Sequence, residues 1–265
     1  MSAPLVVGLE AAALCGPGLP DWAASLPVLT GATPYRPEPL MLAPPPQLSP
    51  GERRRAVPSV RLALGVGMAA VEQSGLDAAA LPAVFASSSA DGETIDAILA
   101  TLCTATREVS PTRFHNSVHN APSGYWGLAT QSREVVSSVS CHDQSFAAGL
   151  LEAAVQVASG ESHVLLVAYD LPYPPPLAAL RPIVGGFGVA LVLSRTASQR
   201  TLARLRIGLS DTGDETPCAD PALDTLRLGN PAARALPLLI ALGRKSAQSV
   251  RLGLSRGGLQ VDVEP

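Results

Sequence analysis

Strand-like runs alternate with helix-like stretches along most of the chain, and this predicts an α/β fold whose mixed or parallel sheet is covered by helices on both faces. Three observations carry the prediction. Short apolar runs rich in β-branched residues recur at Leu5–Leu9, Ala83–Ser87, Val135–Ser140, Val164–Tyr169, Gly185–Leu193 and Leu202–Leu209. Between several of them lie stretches of helical period, at Ser59–Gly75, Glu93–Ala105 and Ser145–Ser159. The strands read as nearly continuous apolar segments, as expected of strands buried on both faces.

Composition narrows the class. At 265 residues the chain can bury a sizeable core without staples. Hydrophobic residues make up 47% and charged residues 15%, with a mean hydropathy of +0.25, so part of the apolar surface is expected to need a partner. A net charge of −3 gives no basic field for nucleic acid, and the one short basic run, Arg53-Arg54-Arg55, reads as a solvated helix start. Four cysteines without CxxC spacing suggest neither a zinc knuckle nor a disulfide framework, and point to a reducing cytoplasm. The apolar N-terminus lacks a positive leader and is broken by Gly16-Pro17-Gly18, and no apolar run reaches the roughly 18 residues of a transmembrane segment.

In chain order, Leu5–Leu9 opens the sheet, and Asp21 stands where a helix cap is wanted. The proline-rich stretch from Pro34 to Pro58 reads as an extended surface loop. Ser59–Gly75 is an apolar helix closed by a glycine; Gly65 and Gly67 fall inside its pattern, which rules out a dinucleotide loop. Asp91 should cap the helix from Glu93. After Leu209 come a polar loop, a short helix at Ala232–Leu242, and a hairpin of Ser249–Leu254 with Leu259–Val263.

The stretch from Ser110 to Asp170 holds most of the functional signal. Strand Val135–Ser140 turns through Cys141-His142-Asp143-Gln144 into the helix from Ser145. A sharp strand-to-helix corner lifts one side chain above the free N–H groups of a helix, a place suited to a nucleophile or an anion. Cys141 is the obvious candidate. His115 and His119 could hold a metal only if helical, and no third ligand is evident, so neither metal nor cofactor is expected.

The order of elements and several local words resemble the N-terminal half of a β-ketoacyl synthase, of the thiolase-like condensing-enzyme family. Leu5–Gly31 resembles its opening strand and glycine turn, Ala83–Gly92 its strand and glycine corner, and Asn120–Gly124 its N..AG word. Gly160–Ala168 resembles the word that follows the nucleophile helix, and Gly186–Leu193 the glycine-led strand. The resemblance implies a thiolase-like half over residues 1–209, with a mixed five-stranded sheet between helical layers. Residues 210–265 then form a short extension of the same domain, and the family's C-terminal half is truncated.

Two departures follow from laying these words in register. Asp143, rather than Cys141, falls at the family's nucleophilic cysteine, where a carboxylate cannot relay an acyl thioester. No histidine follows His163 to serve as the decarboxylation pair. The resemblance therefore implies a non-catalytic, chain-length-factor-like subunit. It would pair as a heterodimer with a full-length ketosynthase and meet an acyl carrier protein in polyketide or aryl polyene synthesis. By the same carry-over, Arg113, Phe114, His115, Val118, His119 and Asn120 would lie near the interface and pocket, and Val135, Val136 and Val139 in the strand that pairs across it. Two alternatives remain open: a thiol acyltransferase or condensing enzyme using Cys141 with His142 and Asp143, and a structural or regulatory remnant without carrier chemistry. For Asp143 itself the simplest expectation is a cap on the following helix.

Overall fold

The computed structural model describes residues 3–211 and 213–265; Met1 and Ser2 of the apolar N-terminus and Thr212 of the polar loop lie outside them. Its strands are β1 (Leu5–Cys15), β2 (Ala83–Ala86), β3 (Val136–Val139), β4 (His163–Asp170), β5 (Phe187–Ser194), β6 (Ala203–Ser210), β7 (Gln248–Gly253) and β8 (Gly258–Glu264). The helices are α1 (Trp22–Leu29), α2 (Pro50–Arg55), α3 (Pro58–Ser74), α4 (Gly92–Leu102), α5 (Pro111–Asn116), α6 (Ala121–Thr130), α7 (Ser145–Ser159), α8 (Leu177–Leu180), α9 (Pro221–Gly229) and α10 (Leu236–Arg244).

All the described strands form one eight-stranded sheet in the order β3-β2-β4-β5-β1-β6-β8-β7. The expected count of five is corrected by the length of β1. Its second half pairs with β5 from Gly8 to Cys15, while its first half pairs with β6 from Leu5 to Leu9, so the sheet continues past it into the terminal hairpin. Between Leu9 and Ala11 the register shifts by one residue. This bulge at Glu10 changes the side-chain parity, so Val7 and Leu9, then Ala12 and Leu14, all face one core.

β2 runs parallel to β3 and β4, and the remaining pairs are antiparallel. Helices lie on both faces of the sheet. α3 and α6 pack on one, burying Leu62, Val66, Tyr125 and Trp126 against Phe85, Leu165 and Val167. α7 and α10 pack on the other, over Val84, Leu166, Leu191, Leu205 and Val261. Along β6 and β8 the side opposite α10 is polar, with Arg204, Arg206 and Glu264 exposed.

α7 follows its sequence pattern closely: Phe146, Leu150, Ala154 and Val157 are all buried. Gly149 lets it seat, since a Cβ there would come within 2.7 Å of the Ala86 Cβ and 2.9 Å of a Leu166 methyl. The proline-rich stretch hides one short helix, α2, which starts on the Ser49 cap with Pro50 in its first turn, where no N–H is needed. Arg53, Arg54 and Arg55 occupy its last turn rather than its start, the end that favours cations. α9 begins in the same way, on Asp220 and Pro221.

The C-terminal extension is clipped to the sheet by Asn230, which is fully buried. Its Nδ2 donates to the carbonyls of Asp170 at 3.1 Å and Gly185 at 2.9 Å, and its Oδ1 accepts from the N–H groups of Ala232 and Ala233. Asn230→Ala leaves four backbone groups, most of them buried, without this partner and should lower unfolding stability by on the order of 3 kcal/mol, measurable as a reduced urea midpoint.

Candidate functional site

The parallel strands β3, β2 and β4 end together, and the segments leaving them, from Ser140, Ser87 and Asp170, meet at one end of the sheet. In α/β sheets this carboxyl end is where a crevice between diverging connections takes ligands. The corner from β3 passes through a short 3-10 turn, His142–Gln144, before α7 begins. His142 takes φ = 52°, a left-handed conformation that is strained for a residue with a side chain. Buried Ser145 holds it there: its Oγ accepts from the Cys141 N–H at 3.0 Å and donates to the His142 carbonyl at 2.8 Å.

Because the extra turn separates Asp143 from α7, Asp143 is not its cap, contrary to the sequence expectation; Gln144 holds that position and makes no side-chain capping bond. The carboxylate instead accepts from the Arg181 Nη2 at 2.7 Å and lies 3.4 Å from the His142 Nδ1. Partial burial pushes the Asp143 carboxyl up, but the Arg181 hydrogen bond and charge, with His142 and Arg234, outweigh it and hold the group below the usual carboxylate range. Asp143 is therefore an ionised partner of an arginine. Cys141 is half-buried, and among the described residues no base is hydrogen-bonded to its thiol. The strand has already ended at Val139, so the two-residue alternation that would align Cys141 with Asp143 does not extend to them.

A second carboxyl at this end, Asp170, was not singled out from sequence. It closes β4 and is 2% exposed. Its Oδ1 accepts from the Ser88 Oγ at 2.6 Å, the Ser88 N–H at 2.9 Å and the Ser87 Oγ at 3.2 Å, while its Oδ2 has no partner among the described residues. Burial raises its pKa to about 7, against the lowering effect of the serine bonds and of Arg181. Only its place at the end of an apolar strand could have signalled it, since the serines that bind it lie more than eighty residues earlier in the chain.

The remaining candidates separate. α5 ends at Asn116, so His115 and His119 do not share a helix. The exposed His115 ring stands edge-on to Tyr125, with centroids 5.9 Å apart, whereas the His119 Nε2 lies 3.0 Å from the Ser87 carbonyl. Arg113, Phe114, Val118 and Asn120 are exposed along α5 and the turn after it. Val136 and Val139 are half-buried in β3, and Val135 immediately precedes it.

β3 is an end strand: it pairs with β2 on one side, and its outer edge carries no partner strand among the described residues. Val135, just before it, is 65% exposed, and on the preceding segments Phe114 of α5 is 67% exposed, Val118 44% and Leu128 of α6 49%. On α4, Leu99 and Leu102 are exposed as well, and only Thr94 of that helix is fully buried. Leu99, Leu102 and Leu128 escaped the sequence reading because an amphipathic helix gives no sign of which apolar residues its own chain will leave uncovered.

The sequence matches the model for β-ketoacyl synthase, N-terminal domain, over residues 31–225. No curated protein sequence matches the chain. Among solved structures it is similar to a ketosynthase (ApeO) in complex with its chain length factor (ApeC) from Xenorhabdus doucetiae, with a TM-score of 0.73 at 22% identity, covering 98% of this chain and 100% of that one. It is also similar to the ishigamide ketosynthase/chain length factor, with a TM-score of 0.69 at 14% identity and 99% of both chains covered. A third is a type II PKS acyl-carrier protein in complex with its ketosynthase bound to the hexaketide, with a TM-score of 0.72 at 12% identity and 99% of both chains covered. The fold is shared with these proteins. Among the described residues no helix is long and apolar enough to cross a membrane.

Asp170 makes stability depend on pH. Between its unfolded value near ~4 and its folded value of about 7, the folded chain keeps a proton that the unfolded chain has released. Unfolding free energy therefore falls as pH rises through this window, by on the order of 4 kcal/mol for a shift of this size. Asp170→Asn should remove that slope between pH 5 and pH 7, seen as a urea midpoint that stays level while the wild-type midpoint falls.

Proposed function

The chain belongs to the β-ketoacyl synthase N-terminal domain family, and on that premise we propose that it is a non-catalytic, chain-length-factor-like subunit that pairs with an active ketosynthase. The observation that carries this reading is the open edge of β3, together with the uncovered apolar side chains of the segments leading up to it. An unpaired edge strand exposes backbone donors and acceptors and tends to recruit a second strand. Here the edge is four residues long, carries no charge and follows the exposed Val135, while Phe114, Val118 and Leu128 are left uncovered on the segments that precede it. Pairing β3 with a partner's strand satisfies those groups, and burying each uncovered apolar side chain contributes roughly 1–2 kcal/mol.

The chemistry at the corner supports a silent role. An ionised carboxylate paired with Arg181 stands at the position that register assigns to the nucleophile, and it would repel a malonyl carboxylate. Condensation then falls to the partner's thiolate, with an acyl carrier protein delivering the chain to the complex in the cytoplasm. Leu99, Leu102 and Phe114, with Arg113, His115, His119 and Asn120 beside them, would form part of the wall against which the partner's growing polyketide or polyene chain lies. Residues 1–209 would carry the ketosynthase-like unit and residues 210–265 complete its sheet, a division supported by the pairing of β8 with β6.

The test is co-expression with a candidate ketosynthase. The two should co-elute as a heterodimer, and Val135→Asp or Phe114→Asp should weaken the association by about a hundredfold or more without lowering the melting temperature of the isolated chain. Cys141→Ala should leave product formation by the complex unchanged. Condensation of malonyl and acyl carriers by this chain alone would overturn the reading, and so would loss of product on Cys141→Ala with assembly intact.

A further inference from the structure

On the far side of the molecule the connection from β5 to β6 forms a second structured region. It has to pass β1, which lies between those strands. Crossing one strand spans about 10 Å, a distance that three or four extended residues cover. The chain uses residues 195–202 and fastens them rigidly. Glu10, displaced by the β1 bulge and only 5% exposed, accepts from Ser194 at 2.9 Å, from Thr201 at 2.8 Å and from Ser198. Burial pushes this carboxyl up, but the three hydroxyls, with His163, outweigh it and keep it ionised. At the loop's ends, the Arg195 N–H donates to the Ser162 carbonyl at 2.9 Å and the Leu202 N–H to the Leu9 carbonyl at 2.7 Å.

This fixed loop walls a notch of about 380 Å³ lined by Val6, Val7, Gly8, Arg195, Thr196, Ala197 and Arg204. Gly8 is in register with Ser194, the last residue of β5, and a Cβ there would come within 2.4 Å of the Ser194 Oγ, so the floor of the notch at this strand pair has no room for a side chain. Two guanidiniums, Arg195 and Arg204, therefore border one cavity, and neither has a hydrogen-bond or ion-pair partner among the described residues. Glu264 is in register with Arg204 across the β6–β8 pair, yet forms no ion pair with it. Two cationic side chains lining one notch set up a local positive field that favours an anion, and a guanidinium fork fits phosphate oxygens two at a time.

We propose that this notch binds a phosphate group, and that its size, which exceeds a bare phosphate and sits at the lower end of small-molecule pockets, accommodates a phosphomonoester. The site is four strands from β3, about 19 Å along the sheet, and does not depend on the proposed pairing.

The experiment is calorimetric titration of the whole chain at low salt with inorganic phosphate, ribose 5-phosphate and, as a monoanion control, acetate. Ribose 5-phosphate should bind saturably with a Kd below about 1 mM, with acetate far weaker. Arg195→Gln and Arg204→Gln should each weaken binding by about tenfold or more, Glu264→Gln should tighten it, and Arg256→Gln, on the terminal hairpin turn, should leave it unchanged. Equal affinity for phosphate and the ester would identify free phosphate as the ligand; a preference for the ester would identify an organic phosphate. Absence of saturable binding to either, or arginine variants that melt like wild type and bind as tightly, overturns the proposal.

Discussion

The seating of α7 on β2 and β4 is the constraint from which the rest of the functional end follows. A helix can approach a sheet this closely only where one residue gives up its side chain, and Gly149 does so against Ala86 and Leu166. With the helix fixed, the residues between Val139 and Ser145 must turn within one short 3-10 segment. That forces His142 into a left-handed conformation, and the buried Ser145 hydroxyl meets the backbone groups on either side of it. The corner is thus a consequence of packing, whatever side chains it displays.

Three carboxyls show how the same residue type is set to different ends by its surroundings. Glu10 is buried yet ionised, because three hydroxyls replace its water. Asp143 is ionised because Arg181 reaches it from the proline-rich segment after β4. Asp170 receives its hydrogen bonds on one oxygen only, and burial then favours the protonated form. Arg181 lowers both Asp143 and Asp170, so the segment after β4 and the elbow are electrostatically one unit.

The two ends of the sheet are treated differently. At β7 the loop before α9 covers the edge: the Thr216 N–H donates to the Arg251 carbonyl at 3.0 Å, and the Thr216 Oγ1 accepts from the Arg251 N–H at 2.9 Å. At β3 no such cover is present among the described residues, and the strand itself, Val136–Val139, carries no charge. One edge is closed by its own chain, and the other is left open among the described residues.

Much of this was legible in the residues. Alternating apolar periods identified β1, β2, β3, β4, β5 and β6, the helices α3, α4 and α7, and the terminal hairpin, because strand and helix periodicity are written locally. The words flanking the corner placed Asp143 where a nucleophile stands in the family, and the low charge content signalled uncovered apolar surface. Other features were decided only by the fold. The parity change at Glu10, the eight-stranded sheet, the Asp143–Arg181 pair, the buried Asp170 and the open edge at β3 all join residues distant in sequence. No local pattern encodes which distant arginine will reach a given carboxylate, or which strand will be left at the end of a sheet. The sequence by itself determined that a carboxylate, Asp143, stands at the corner in the register of the family words; only the tertiary structure decided that Arg181 pairs with it, because that pairing exists only once β4 and α7 have been packed side by side.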